Sequence, residues 1–156
     1  MSTKSPSTSA MNQSATIYAA MELSSTKWLV AVQAPDKDNV SRHEIPAGNS
    51  AKLVELLEGA RIRVQDDTDA PVEIVSCYEA GRDGFWLHRI LQASGIHNHV
   101  MDPTSLPTDQ KKKSAKTDKI DVRKILRALK LWHAGDPEAC RMVHVPTPDQ
   151  EDARRP

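Results

Sequence analysis

The chain has 156 residues, a formal net charge of +0, and 38% hydrophobic and 27% charged residues, which is typical of one soluble globular domain. No apolar run approaches the roughly 18 residues that cross a membrane, and the amino terminus lacks the basic-then-apolar pattern of a signal peptide. These features argue against a membrane or secreted protein and predict a cytoplasmic one. The two cysteines, Cys77 and Cys140, lack zinc-site spacing, so we expect neither a zinc site nor a disulfide.

The first part of the chain predicts a tail followed by a meander of strands. Residues 1–15 are rich in Ser and Thr and predict a disordered tail. Apolar and β-branched runs at 16–23, 27–34 and 40–45 predict three strands. Because the turns between them are too short for crossovers, the three strands should pair antiparallel.

The rest of the chain alternates helices with strands. In order, the patterns predict a helix capped by Asn49 or Ser50, a strand at 72–78, a helix capped by Asp83, a strand at 97–101 and a helix at 117–133. Right-handed crossovers would then extend the meander into a mixed five-stranded sheet with flanking helices. This β-β-β-α-β-α-β-α order is that of the α/β RNase H-like fold.

Four acidic residues lie at positions where phosphodiester chemistry can use them. Glu22 ends the first strand and Glu79 follows the fourth; these strands should be parallel neighbours, so their carboxyl ends meet at one edge of the sheet. Asp118 and Asp121 lie three apart near the start of the last helix. Four carboxylates can hold a pair of Mg²⁺ ions about 4 Å apart. By spacing alone, a helix cap at Asp118, a solvated Asp pair and a loop start at Glu79 remain open as ordinary alternatives.

The neutral total charge conceals a basic segment. Residues 111–130 contain nine Lys or Arg and two Asp, a local net charge of 9 − 2 = +7. Such a segment is typical either of a solvated helix face or of a surface that binds a polyanion. The residues predicted to contact nucleic acid are Lys111, Lys112, Lys113, Lys116, Lys119 and Arg123.

Two motifs together resemble a known family. Tyr-Glu-Ala-Gly at 78–81, combined with Lys-Thr-Asp-Lys-Ile-Asp at 116–121, resembles the DEDD transposases of bacterial insertion sequences, which are described as bridge-RNA-guided recombinases. The resemblance extends over about residues 16–155. It implies a RuvC-like catalytic domain at 16–146 and the start of an inter-domain helix at 147–156. It also implies DNA transposition with Mg²⁺ or Mn²⁺, with DNA, a guide RNA and a homo-oligomer with full-length transposase as partners.

The resemblance assigns roles residue by residue. Glu79 takes the family's Glu position, and Asp118 and Asp121 take its last two Asp positions. Glu22 stands where the family usually has Asp, and its extra methylene changes the reach of the ligand. Lys116 and Thr117 are interpreted as a phosphate contact and a helix cap.

The resemblance also implies that the chain stops before the family's C-terminal serine domain, so we expect the fragment alone to be inactive in transposition. Two alternatives remain: an inactive nucleic-acid-binding remnant, and a stand-alone RuvC-like junction nuclease.

Two histidines and three tryptophans have patterns that favour roles other than ligand binding. His97 and His99 share one face of a strand, which can bind a metal, but no third ligand has suitable spacing, which favours a structural or exposed role. Trp28, Trp86 and Trp132 are predicted to occupy the core or helix faces rather than to stack on bases.

Overall fold

A computed structural model of the chain describes residues 14–81, 84–106 and 121–153. Among the helices of those ranges, none is long and apolar enough to cross a membrane. The elements are β1 (Ala15–Leu23), β2 (Lys27–Gln33), β3 (Ser41–Pro46), α1 (Ser50–Gln65), β4 (Val72–Glu79), α2 (Trp86–Ala93), β5 (His97–Met101), α3 (Val122–His133) and α4 (Pro148–Ala153), with a 3-10 turn at Pro103–Ser105 between β5 and α3.

The five strands form one mixed sheet in the order β3-β2-β1-β4-β5. β2 pairs antiparallel with both β1 and β3, whereas β4 pairs parallel with β1 and with β5. This confirms the predicted α/β RNase H-like fold, with its meander and its mixed five-stranded sheet with flanking helices.

Alternating side chains of the strands build a separate core on each face of the sheet. On one face Ile17 and Ile74 pack with Leu53 of α1 and with Leu87 of α2. On the other face the small residues Ala20, Ala31 and Cys77 pack under α3, whose contribution is Val122, Ile125, Leu126, Ala128 and Leu129. The helix approaches the sheet over these small side chains and has a strongly one-sided apolar face.

The chain after α3 returns to cover the outer edge of β5. Met142 bridges Met101 in antiparallel fashion, and the amide of Val143 donates to the carbonyl of Val100 at 2.7 Å. Further on, Arg89 of α2 donates to Glu151 at 2.7 Å, which holds α4 against α2. The backbone pairing of Met142 and Val143 with β5 satisfies hydrogen-bonding groups that an open strand edge would expose.

Two helix starts differ from the predictions. α3 begins at Val122 rather than at residue 117, because Asp121 is extended at φ −59° and ψ 133° and caps the helix from outside it. α2 has Phe85 at its N-cap position without a side-chain capping bond, so the prediction of an Asp83 cap is wrong; Asp83 itself lies outside the described residues.

Candidate functional site

Glu22 and Glu79 lie side by side at the carboxyl edge of the sheet. Met21 and Tyr78 are register partners in the parallel β1–β4 pair, so the next residue of each strand is one of the two glutamates. Alternation along the strands places both on the face of Ala20 and Cys77, which α3 covers. Both are half-buried. The pKa of Glu79 is raised. The main cause is its burial, and the negative charge of Glu22 adds to the effect.

The direction of α3 is fixed by contacts at its carboxyl end. His133 Nδ1 and the hydroxyl of Tyr18 are hydrogen-bonded at 2.8 Å, and Lys130 Nζ donates to Gln33 Oε1 at 2.8 Å. Tyr18 and Gln33 are cross-strand partners in the amino-terminal half of β1. The helix has 12 residues and is about 18 Å long, whereas β1 from Tyr18 to Glu22 spans about 13 Å. The amino end of α3 therefore extends toward the edge that carries Glu22 and Glu79.

Asp121 occupies that amino end. Its carboxylate accepts a hydrogen bond from the amide of Arg123 at 2.9 Å, and its carbonyl accepts from Lys124 at 2.8 Å. The next residue, Val122, is 1% exposed and belongs to the cluster beneath α3, which also contains Met101, the register partner of Glu79. Asp121 is thus an exposed helix cap, and the predicted placement of Asp118 and Asp121 on one helix face is wrong for Asp121.

The rest of the predicted site lies outside the described residues. Asp118 and the lysines Lys111, Lys112, Lys113, Lys116 and Lys119 all fall within residues 107–120. Over the described ranges, no three His, Cys, Asp or Glu side chains come together closely enough to hold a metal ion. The structure thus brings together Glu22 and Glu79 and directs the Asp121 end of α3 toward them.

The basic segment, residues 111–130, has four basic residues in the described part of the chain, and they form two groups. Arg123, Lys124 and Arg127 are exposed on α3, which places three positive charges along the solvent side of the helix. Lys130 is partly buried and donates to Gln33, so it helps to attach α3 to the sheet. Arg123 is the nearest of these cations to Asp121 along the helix.

His97 and His99 have structural contacts. His97 lies 3.7 Å from a carboxylate oxygen of Glu73, and the half-buried ring of His99 packs edge-on against Trp132 with centroids 4.8 Å apart. The His97–Glu73 contact links β5 to β4, and the His99–Trp132 contact attaches the carboxyl end of α3 to β5. The pKa of His99 is lowered. The main cause is its burial, and the charges of His133, His88 and His97 add to the effect.

The lowered pKa of His99 predicts a loss of stability in acid. The unfolded chain takes up the proton at a pH of about 6.5, while the folded chain resists protonation until a lower pH. The unfolded state then binds more protons, so stability falls as the pH drops below the ordinary histidine value. We expect the melting temperature to fall between pH 7.5 and pH 5.5, and the fall to be smaller in His99→Phe. A His144→Phe control, which changes an exposed histidine, should keep the full pH dependence; equal slopes in all three proteins would contradict this prediction.

The Asp121 cap leads to a stability prediction that separates capping from charge. Asp121→Ala should cost about 1 kcal/mol of unfolding free energy, because the amide of Arg123 loses its acceptor. Asp121→Asn retains a good capping residue and should cost only a few tenths. Urea denaturation of both variants tests this; equal losses would show that the cap contributes nothing.

One ion pair at the same edge of the sheet was not foreseen. Asp102, directly after β5, accepts hydrogen bonds from Thr104 at 2.7 Å and from Arg141 at 2.6 Å. These hydrogen bonds lower the pKa of Asp102, and the one from the Thr104 side chain has the largest effect. The Asp-Pro-Thr sequence signals the local cap, but nothing local identifies Arg141 as a partner, since it lies 39 residues away. Asp102 is therefore occupied with holding the returning chain.

Comparison with known proteins relates the chain to transposases. It is 40% identical over 140 residues to "Putative transposase y4rJ" of Sinorhizobium fredii, covering 89% of this chain and 35% of that protein. It is 38% identical over 63 residues to "Transposase for insertion sequence element IS1533" of Leptospira borgpetersenii, covering 40% of this chain and 18% of that protein. No protein-family model matches the chain.

Among solved structures, an exopolyphosphatase from Cytophaga hutchinsonii is similar to part of this chain. The alignment covers 57% of this chain and 35% of the exopolyphosphatase chain, with a TM-score of 0.37 and 12% sequence identity. That similarity is too low to support an argument about function. The two transposase relatives are much more similar in sequence. This chain spans about a third of the length of the Sinorhizobium fredii relative. Both are named as transposases, which supports relating this chain to the transposases of insertion sequences.

Proposed function

We propose that the chain is the RuvC-like catalytic domain of an insertion-sequence transposase, which binds DNA and cuts or exchanges its strands with Mg²⁺ or Mn²⁺. The names of its relatives support transposition in general. The strand order of the sheet supports the RuvC-like part of the proposal. The acidic edge, which is the carboxyl edge of the sheet where Glu22 and Glu79 lie, supports the metal-dependent part.

The observation that carries the proposal is the pairing of Glu22 with Glu79. Two carboxylates on adjacent parallel strands repel each other, and partial burial makes that repulsion stronger. A divalent cation held by both groups would offset this repulsion. Mg²⁺ and Mn²⁺ prefer carboxylate oxygens, so the pair fits a divalent metal, and perturbed acids of this kind concentrate at functional sites.

The proposed ligand set is Glu22, Glu79, Asp118 and Asp121. Capping does not exclude Asp121, because a carboxylate has about four lone-pair sites and the amide of Arg123 uses one of them. Divalent metal held there would stabilise the charge that develops on a phosphodiester. The glutamates would fix the metal on the rigid sheet, and the amino end of α3 would add to the positive potential at the edge.

The basic segment is the proposed DNA contact. Arg123 is exposed on α3 two residues after Asp121, and Lys111, Lys112, Lys113, Lys116 and Lys119 precede it in sequence. Each phosphate neutralised by such a side chain releases counterions, so affinity for DNA should fall steeply as salt increases. A guide RNA and a homo-oligomer with full-length transposase complete the proposal.

DNA binding and cleavage by the chain test this function. Labelled linear duplexes and four-way junctions are incubated with the wild type and with Glu79→Gln in Mg²⁺, Mn²⁺ or EDTA. Salt-sensitive binding, with metal-dependent nicking that Glu79→Gln abolishes, supports the catalytic domain. Binding without nicking in either metal that survives Asp118→Ala and Asp121→Ala favours the remnant, and resolution of junctions by this chain alone favours the junction nuclease. Failure of the wild type to bind any of these DNAs would overturn the proposal.

A further inference from the structure

We infer that Trp86 is a stacking platform for an unpaired DNA base beside the acidic edge; this inference rests on the proposed function. The sequence predicts Trp86 in the core or on the buried face of its helix rather than stacked on a base. The structure shows it at the first position of α2 with 39% of its surface exposed, so the prediction of a buried helix face is wrong for this residue.

The indole of Trp86 has a rigid support. Trp28, which is 1% exposed and belongs to the core beneath α1 and α2, packs against it with ring centroids 6.0 Å apart and planes inclined by 40°. A buried tryptophan below and solvent above give Trp86 a fixed aromatic surface. Such a surface loses little conformational freedom when a base stacks on it.

The two tryptophans lie at the same edge of the sheet as the glutamates. Trp28 is the register partner of Leu23, the residue after Glu22. Trp28 belongs to the core on the α1 and α2 side, whereas Glu22 and Glu79 lie on the α3 side. A nucleic-acid strand that crosses this edge can therefore place a phosphate at the glutamates and a neighbouring base on Trp86.

Tyr78 holds Trp86 in a fixed relation to Glu79. Tyr78 directly precedes Glu79 and is fully buried. Its hydroxyl donates to the carbonyl of Gly84 at 3.0 Å and accepts from the amide of His88 at 3.2 Å. One side chain thus fixes the end of the loop and the first turn of α2, and Gly84 makes the turn with a φ of 67° that suits glycine.

Exposure of a single large apolar side chain needs no special explanation on its own. Three such residues occur in the described parts of the chain, namely Ile62, Trp86 and Leu131. Trp86 is the aromatic one of these and the one at the acidic edge, whereas Leu131 lies near the carboxyl end of α3. This difference makes Leu131 a suitable control.

The test uses a single-stranded oligonucleotide that contains 2-aminopurine, whose fluorescence is quenched by stacking, with EDTA present so that metal plays no part. Stacking on an aromatic side chain contributes to the affinity for single strands whatever the base, so Trp86→Leu should weaken binding about tenfold and relieve the quenching. Trp86→Phe should retain most of both signals, and Leu131→Ala should match the wild type. The Leu and Phe variants keep an apolar group on Trp28, and melting curves check that both fold.

The outcomes separate this inference from the proposed function. If the wild type binds the oligonucleotide and folded Trp86→Leu binds it equally well with equal quenching, the stacking role is overturned while DNA binding stands. If the wild type does not bind DNA, the proposed function fails and the stacking role fails with it.

Discussion

Replacing Leu129 with alanine should lower the free energy of unfolding by about 2–5 kcal/mol. Leu129 is fully buried beneath α3 in the cluster that contains Ala20 and Cys77. Truncation removes apolar contacts and leaves a cavity between the helix and the sheet, which the small side chains of the strands cannot fill. Because α3 carries Asp121 and Arg123, loosening this contact should also weaken DNA binding. Urea denaturation gives the stability change, and the oligonucleotide assay gives the change in binding.

Leu131 provides a matched control on the same helix. It is two residues away and 46% exposed, so Leu131→Ala should change stability by no more than about 0.5 kcal/mol. Similar losses in the two variants would contradict the position of α3 on the sheet.

Replacing Glu79 with glutamine should stabilise the metal-free protein at neutral pH. The folded pKa of Glu79 is raised by burial and by Glu22. Between the ordinary glutamate pKa and the raised one, the folded state binds more protons than the unfolded state. Stability therefore falls as the pH rises through that window, and the whole penalty is present above it. Glutamine has no charge to desolvate, so we expect Glu79→Gln to melt a few degrees higher in EDTA at pH 7, with the difference disappearing in acid.

Mg²⁺ should reverse the order of the two proteins. A ligand at tenfold its dissociation constant stabilises the folded state by about 1.4 kcal/mol, and the wild type should gain this while Glu79→Gln gains little. Glu55→Gln, which changes an exposed glutamate of α1, should behave like the wild type in both conditions. A Glu79→Gln protein that is less stable in EDTA would contradict a destabilising charge at Glu79, and one that responds to Mg²⁺ like the wild type would contradict a metal ligand there.

Periodicity and turn lengths predicted most of the fold. Strands of β-branched and apolar residues joined by connections too short for a crossover favour a meander, and β5 has the predicted bounds of 97–101. The start of α3 was less predictable. Asp118 and Asp121 can each cap a helix, and the basic residues before Val122 provide no apolar period that would distinguish between the two starts. Only the backbone at Asp121, with ψ near 133°, shows where this helix begins.

Contacts between distant residues could not be predicted from local patterns. The buried hydroxyl of Ser76 donates to Asn98 at 2.7 Å, and Asn98 is hydrogen-bonded to His88 at 2.9 Å. Any of these polar residues could have been placed at the surface by composition alone. Trp86 was misplaced for a related reason: an apolar residue at helical spacing favours the core, and its exposure depends on how Trp28 fills the space beneath it.

The candidate site was predictable in part. Topology alone predicts that the ends of β1 and β4 meet, and the structure places Glu22 and Glu79 together there. The roles of Asp118 and of the lysines depend on the resemblance to DEDD transposases and remain predictions, as do Mg²⁺ or Mn²⁺, the guide RNA and the oligomer. The sequence alone could not show that burial and the charge of Glu22 raise the pKa of Glu79, since that requires both the register of the strands and the burial of their ends.

Carboxyl carbon NMR of the full chain during titration with Mg²⁺, followed by trace Mn²⁺, tests the metal site most directly. We predict that the side-chain resonances of Glu22, Glu79, Asp118 and Asp121 shift together and saturate at millimolar Mg²⁺, and that Mn²⁺ broadens this set first. The exposed Glu55 should remain sharp. Unchanged resonances of the four acids at millimolar Mg²⁺, with Mn²⁺ broadening spread over all exposed carboxylates, would contradict a metal site at this edge of the sheet.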